Sequence, residues 1–109
     1  MKGTKTYVSG VLEAAKARLT PETWGRAESP AVAPPTGKLC VVTALSPCNR
    51  LEAMVAVELL HEAVFGKAET DKANQPAVRL TRWNDLGVRT LADVHAAYDT
   101  AIALEHAQR

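Results

Sequence analysis

The stretch from Leu51 to Val64 constrains the fold of this chain more than any other. Leu51, Met54, Val55, Val57, Leu59, Leu60 and Val64 put apolar side chains around most of a helix's circumference. Asn49 is a good capping residue ahead of it, and Glu52, three positions on, completes a capping-box pattern. Gly66 supplies the stop. A helix this apolar has to be surrounded, so residues 50–65 are expected at the centre of the molecule, with Leu51 and Leu59 in its core.

Two other segments have the periodicity to cover it. From Thr4 to Leu19, the residues Val8, Val11, Leu12, Ala15 and Leu19 form one stripe, with Lys5, Glu13, Lys16 and Arg18 largely off it. At the other end, Thr90 with Asp93 has the reciprocal capping spacing, and Leu91, Val94, Tyr98, Ala101, Ile102 and Glu105 trace one helical face. Thr20-Pro21-Glu22 carries the marks of a fresh helical start (a capping hydroxyl, a proline at the first position, a carboxylate in the first turn), followed by a short turn holding Trp24.

The remaining segments read as connections. Residues 25–37 contain Pro30, Pro34 and Pro35 and little to pack, and residues 67–77 are polar, charged and contain Pro76. Both are expected to be surface loops, and Val78-Arg79-Leu80 a brief extended piece. The apolar run 38–45 is compatible with a buried strand or a short buried helix, since periodicity does not separate the two.

Composition supports one soluble domain, residues 1–109. The chain is 47% hydrophobic but only 5% aromatic, so its core must be closely packed from small side chains around Trp24, Trp83, Phe65, Tyr7 and Tyr98. Thirteen basic residues oppose twelve acidic ones, without the basic excess that a phosphate-binding surface normally needs. Nucleic acid is therefore a disfavoured partner; the one locally basic stretch is Lys2, Lys5, Lys16 and Arg18. A recognition-helix reading of Thr90 to Gln108 fails on the charges of Asp93, Asp99 and Glu105. No stretch approaches the about 20 apolar residues of a membrane span, and no apolar run near the N-terminus is long enough for a signal peptide. A cytoplasmic protein is expected, and Cys40 and Cys48 are expected to be reduced thiols rather than a disulfide framework or a zinc pair.

Catalytic and metal signatures fail on spacing. Glu58 and His61 have the separation of one carboxylate–imidazole pair of a di-iron bundle, but the second such pair is missing. His61-Glu62 opens like a zinc-protease motif, yet Phe65 occupies the position of the second histidine. A thiol nucleophile built from Cys40 or Cys48 with His61 or His95 and Asn84 has the right residue types, but desolvation of Cys40 in an apolar run would blunt it. No metal or cofactor is expected.

The most specific feature is Arg82-Trp83-Asn84-Asp85-Leu86-Gly87-Val88-Arg89-Thr90. An indole, an amide and a carboxylate sit together just ahead of a capped helix. Asn84 and Asp85 can bond nearby backbone amides and fix a tight turn, and Arg89 is placed to bridge back to Asp85. The segment is either a structural knot that docks the last helix or a binding surface; Arg82, Trp83, Asn84, Asp85 and Arg89 are the candidate binding residues.

These residues resemble a family of small bacterial and phage proteins, domain of unknown function 6197, in which a Trp-Asn-Asp-x-Pro-Gly-Arg-Thr turn pairs with an upstream Cys-Leu-x-Gly-Ala-Leu segment. Here the counterparts are Trp83-Asn84-Asp85 with Arg89-Thr90, Cys40 to Leu45, and Trp24-Gly25 as an earlier aromatic landmark. Gly87 and Val88 stand where the family has Pro and Gly, Thr43 replaces a Gly, and Gly25 replaces a Cys. The resemblance implies an all-helical fold, which favours helix over 38–45, and it implies no activity. The expectation is a mainly α, single-domain bundle of about four helices with long surface loops. Its expected role is that of a non-catalytic protein-interaction module, in particular a phage or mobile-element accessory or inhibitor protein that binds a host protein. A small enzyme using a Cys or His near the 83–89 turn, and a nucleic-acid accessory protein, are the alternatives.

Overall fold

The computed structural model describes residues 8–25, 39–45, 50–87 and 90–108. Among these the fold is mainly α: α1 (Val8–Arg18), α2 (Arg50–Phe65), α3 (Lys67–Lys72), α4 (Pro76–Arg82) and α5 (Leu91–Ala107). A 3-10 turn spans Thr43–Leu45, and α4 runs on into a π-helical turn over Trp83–Gly87.

The core lies between α1, α2 and α5, each of which packs on the other two. Ser9, Leu12 and Ala15 of α1, together with Leu19 just beyond it, turn inward. From α5 come Val94, Ala97, Tyr98 and Ala101, an i, i+3, i+4, i+7 set on one face. Between them α2 contributes Ala56, Val57, Leu59 and Leu60. Alanine at positions 15, 56, 97 and 101 leaves the helices free to pack closely, as the small-residue composition requires. Tyr98 is the large aromatic of this interior, fully buried with its hydroxyl donating to the Val41 carbonyl at 2.6 Å. Trp24, Trp83 and Phe65, expected to be interior pieces, are only partly buried against the core.

The helix ends follow local chemistry. Thr90 caps α5 reciprocally: its hydroxyl accepts from the Asp93 amide at 3.3 Å, and the Asp93 carboxylate accepts from the Thr90 amide at 3.0 Å. Gly66 closes α2 at φ 97°, a conformation open to glycine and strained for other residues. Asn49 and Thr4 to Tyr7 lie outside the described residues.

Four expectations need correction. Residues 67–77 are not a linker, because Lys67–Asp71 (3.3 Å) and Lys72–Glu69 (3.4 Å) pair one turn apart along the short α3. Pro76 begins α4 instead of breaking a loop, since its missing N–H costs nothing at the first helical position. Val78-Arg79-Leu80 is accordingly helical. In the 38–45 run, Leu39 forms an isolated parallel bridge with Trp24, and only Thr43–Leu45 is helical. There the Cys40 amide is taken by Thr43 Oγ1 (2.7 Å) and the Val41 amide by Asn84 Oδ1 (3.1 Å). Finally, Leu51 is 74% exposed, with Met54 at 53% and Val55 at 45%: the N-terminal half of α2 turns this part of its apolar surface outward.

Candidate functional site

Asn84 organises the turn that stood out in the sequence. It sits at the start of the π-helical turn, fully buried. Its Oδ1 accepts from Trp24 Nε1 at 2.9 Å and from the Val41 amide at 3.1 Å. Its Nδ2 donates to the Gly25 carbonyl at 3.2 Å and to Asp85 Oδ1 at 3.1 Å. All four hydrogen-bonding positions of the amide are thus filled. The side chain ties the α4 extension to the Trp24–Leu39 bridge, where the Gly25 amide donates to Leu39 O at 3.0 Å, and to the 39–45 segment. A carboxamide is required, since a carboxylate has no donors and an aliphatic side chain has neither function.

The other candidate residues of this segment are distributed around that knot. Trp83 is half-buried and, with Ala63, Val64, Asp93, Ala96, Ala97 and Thr100, lines a shallow cleft of about 320 Å³ between α2 and α5. Asp85 is half-buried beside Asn84. Arg82 is exposed and borders a depression of about 650 Å³ with Glu69, Lys72, Asn74, Gln75, Val78 and Arg79. Arg89 lies outside the described residues.

The structure adds a second cluster, where α2, α3 and α4 meet, that sequence reasoning missed. His61 is fully buried. The Thr70 hydroxyl donates to the Gly66 carbonyl at 2.9 Å, so it accepts from His61 Nδ1 at 2.7 Å, which places the imidazole proton on Nδ1. Nε2 is then a bare lone pair, buried with no hydrogen-bond partner among the described residues. The ring lies 4.6 Å from that of Phe65, which also carries the Arg79 guanidinium at 4.6 Å. Desolvation, reinforced by Arg79 and opposed by Glu69, holds the His61 pKa below its ordinary value. Glu69 receives Lys72 at 3.4 Å and Arg79 at 3.5 Å, and its carboxyl is held below the ordinary range, chiefly by the hydrogen bond from Lys72. The i, i+4 placement of His61 and Phe65 was readable in the sequence; their partners on α3 and α4 were not, because that stretch reads as linker.

Among the described residues the Cys40 thiol and the imidazoles have separate partners, and Cys48 lies outside the described residues. Cys40 is buried, and its sulfur faces the Thr43 amide and hydroxyl at 3.5 Å. His61 is committed to Thr70, and His95 Nε2 to the Leu19 carbonyl at 2.7 Å. Among the described residues, no three of His, Cys, Asp and Glu gather as metal ligands, and no helix is long and apolar enough to cross a membrane. Of the basic N-terminal stretch, Lys16 pairs with Asp99 at 2.7 Å and Arg18 bonds the Ala44 carbonyl, while Lys2 and Lys5 lie outside the described residues.

The remaining feature is a mainly apolar groove of about 560 Å³ between α2 and the α3–α4 corner, lined by Ala53, Met54, Val57, Ala73, Pro76, Ala77 and Val78 together with Glu58, Thr70, Asn74 and Gln75. Val78 is 49% exposed and borders both this groove and the Arg82 depression, so the two are continuous. Leu51 and Val55 extend the apolar surface along α2.

Fold and site together define a small helical domain with a side-chain amide knot and an outward-facing apolar groove. The model of a family of unknown function (DUF6197) matches residues 3–104, and the chain belongs to that family. No curated protein and no solved structure matches it.

Proposed function

We propose that the chain is a non-catalytic protein-interaction module whose contact face is the outward side of α2 together with α4. The observation that carries this reading is the exposure of Leu51, Met54, Val55 and Val78 on one continuous surface, beside a core already filled by other residues. Large apolar side chains clustered in this way mark contact surfaces more often than free ones. Arg82, exposed at the edge of the same surface, is a rim residue of the contact. Trp83, Asn84 and Asp85 serve it indirectly by fixing the end of α4, and Arg89 is kept as a candidate on the sequence alone. In this reading the protein works in the cytoplasm, and the resemblance noted in the sequence adds the role of a phage or mobile-element factor acting on a host protein.

The test replaces Leu51, Met54 and Val55 together by Ser. The triple variant should melt like the parent, because these side chains are exposed, and should lose whatever protein the parent engages, including a second copy of itself. A variant that keeps the contact, or a parent that stays monomeric and captures nothing from its source cell, would sink the reading.

A further inference from the structure

We infer that the occupant of this face is an acidic, apolar segment of a partner polypeptide, a step that rests on the contact face proposed above. Its apolar side chains enter the groove between α2 and the α3–α4 corner, and its carboxylates reach Arg82 and Arg79 in the adjoining depression. The charge of that depression and the donors left open in it carry the argument.

Lys72, Arg79 and Arg82 stand there against Glu69 alone. This excess of two positive charges is local, since the whole chain nets only +1. Glu69 takes up Lys72 at 3.4 Å and Arg79 at 3.5 Å, both longer than the about 2.7–2.9 Å of a well-formed charge-assisted hydrogen bond. One carboxylate therefore serves two cations and saturates neither. Arg79 approaches it through Nη1 while its guanidinium rests over the Phe65 ring, which leaves its other donors for a second acceptor. Arg82 is exposed, and its side chain has no ion pair or hydrogen bond among the described residues. A planar guanidinium in that condition matches a carboxylate two bonds at a time.

Ala73, Asn74, Gln75 and Val78 border the groove and the depression alike, so one ligand meets both. Asn74 and Gln75 are exposed, and their side-chain amides bond nothing among the described residues. They offer donors and acceptors to the backbone of an extended peptide. Glu58 on the α2 side of the groove sets the polarity: carboxylates of the occupant are repelled there and drawn to the Arg82 side. A free oxyanion would leave the surface of Met54, Val57, Ala77 and Val78 uncovered. Nucleic acid fits less well, because three cations are few for a phosphate backbone and neither lining holds an aromatic ring on which a base could stack.

Selection from a random peptide library displayed on phage, with the full chain as bait, tests it. Enriched peptides should combine Asp or Glu with apolar residues, and their binding should weaken as salt is raised. A synthetic copy of the leading peptide should bind Arg82→Glu about tenfold or more weakly than the parent, at an unchanged melt, because like charges then face each other. Replacing its carboxylates by Lys should reverse that preference. No enrichment, enriched peptides without carboxylates, or equal binding to the parent and Arg82→Glu would each overturn the inference. So would displacement of the peptide by polyuridine RNA, which would make the depression a phosphate site. Carboxylate-free peptides that are still lost on replacing Leu51, Met54 and Val55 would reject the acidic partner and leave the contact-face reading standing.

Discussion

The Trp24 indole nitrogen donates to Asn84 Oδ1 at 2.9 Å, joining positions sixty residues apart. That bond makes the Trp83–Gly87 turn a fastening. The amide also takes the Val41 N–H and gives its own protons to Gly25 O and Asp85, so three separate stretches meet on one side chain.

Asn84→Ala is therefore expected to destabilise by about 2–5 kcal/mol, since it strands donors and acceptors in several places where the cost of each is about 1–3 kcal/mol. Asn84→Asp should be no better: it loses both donors and sets a second carboxylate against Asp85. Trp24→Phe removes one of the four bonds and should cost less than Asn84→Ala. Urea melts of the three variants check the order, and an Asn84→Ala melt that overlays the parent would show that the knot carries no stability.

Core and contact face separate on leucines of the same helix. Leu60 is fully buried, so Leu60→Ala should cost about 2–5 kcal/mol. Leu51 is 74% exposed, and Leu51→Ala should stay within about 0.5 kcal/mol of the parent. Equal losses at both positions in denaturant melts would place Leu51 inside.

His61 makes stability depend on pH. Its folded-state pKa is lowered, so in mildly acidic solution the unfolded chain binds the proton more readily than the folded one. The stability this neutral imidazole supports is fully present above the unfolded value of about 6.5 and is lost as pH falls from there toward the folded value. Protonation would put an N–H on Nε2 with no acceptor among the described residues, beside the Arg79 charge, with Glu69 the opposing group. Thermal melts between pH 7.5 and pH 5, a window of about one unit above to one and a half below that reference, should fall with acid in the parent. The same melts should flatten in His61→Leu; an undiminished slope in that variant would assign the effect elsewhere.

Gly66 tests backbone strain alone. At φ 97° and ψ 161° it occupies a region nearly reserved for glycine, while a β-carbon there would meet nothing within 4 Å. Gly66→Ala should cost about 1–3 kcal/mol from the backbone, without any steric contribution. A variant as stable as the parent would mean that the α2–α3 corner readily adopts another conformation.

The helices whose signals are local could be read from the residues alone. Periodicity marked α1 and α5, the Thr90–Asp93 spacing fixed the cap of α5, and the apolar run closed by Gly66 marked α2, because each of these depends on residues within a few turns of one another. The Trp-Asn-Asp signature likewise pointed to a special turn. What these elements face was settled by packing. A helix apolar on most sides does not announce which side is covered, so Leu51 could be told from Leu60 only once α1 and α5 had chosen their side of α2. The short α3 and α4 were hidden because charged residues and a proline read as linker until ion pairs and a first-position proline give them helical roles. Three of the four partners of Asn84, and the partner of His61, lie on other segments, one of Asn84's sixty residues away, and no local pattern encodes a contact that exists only after the chain has closed on itself.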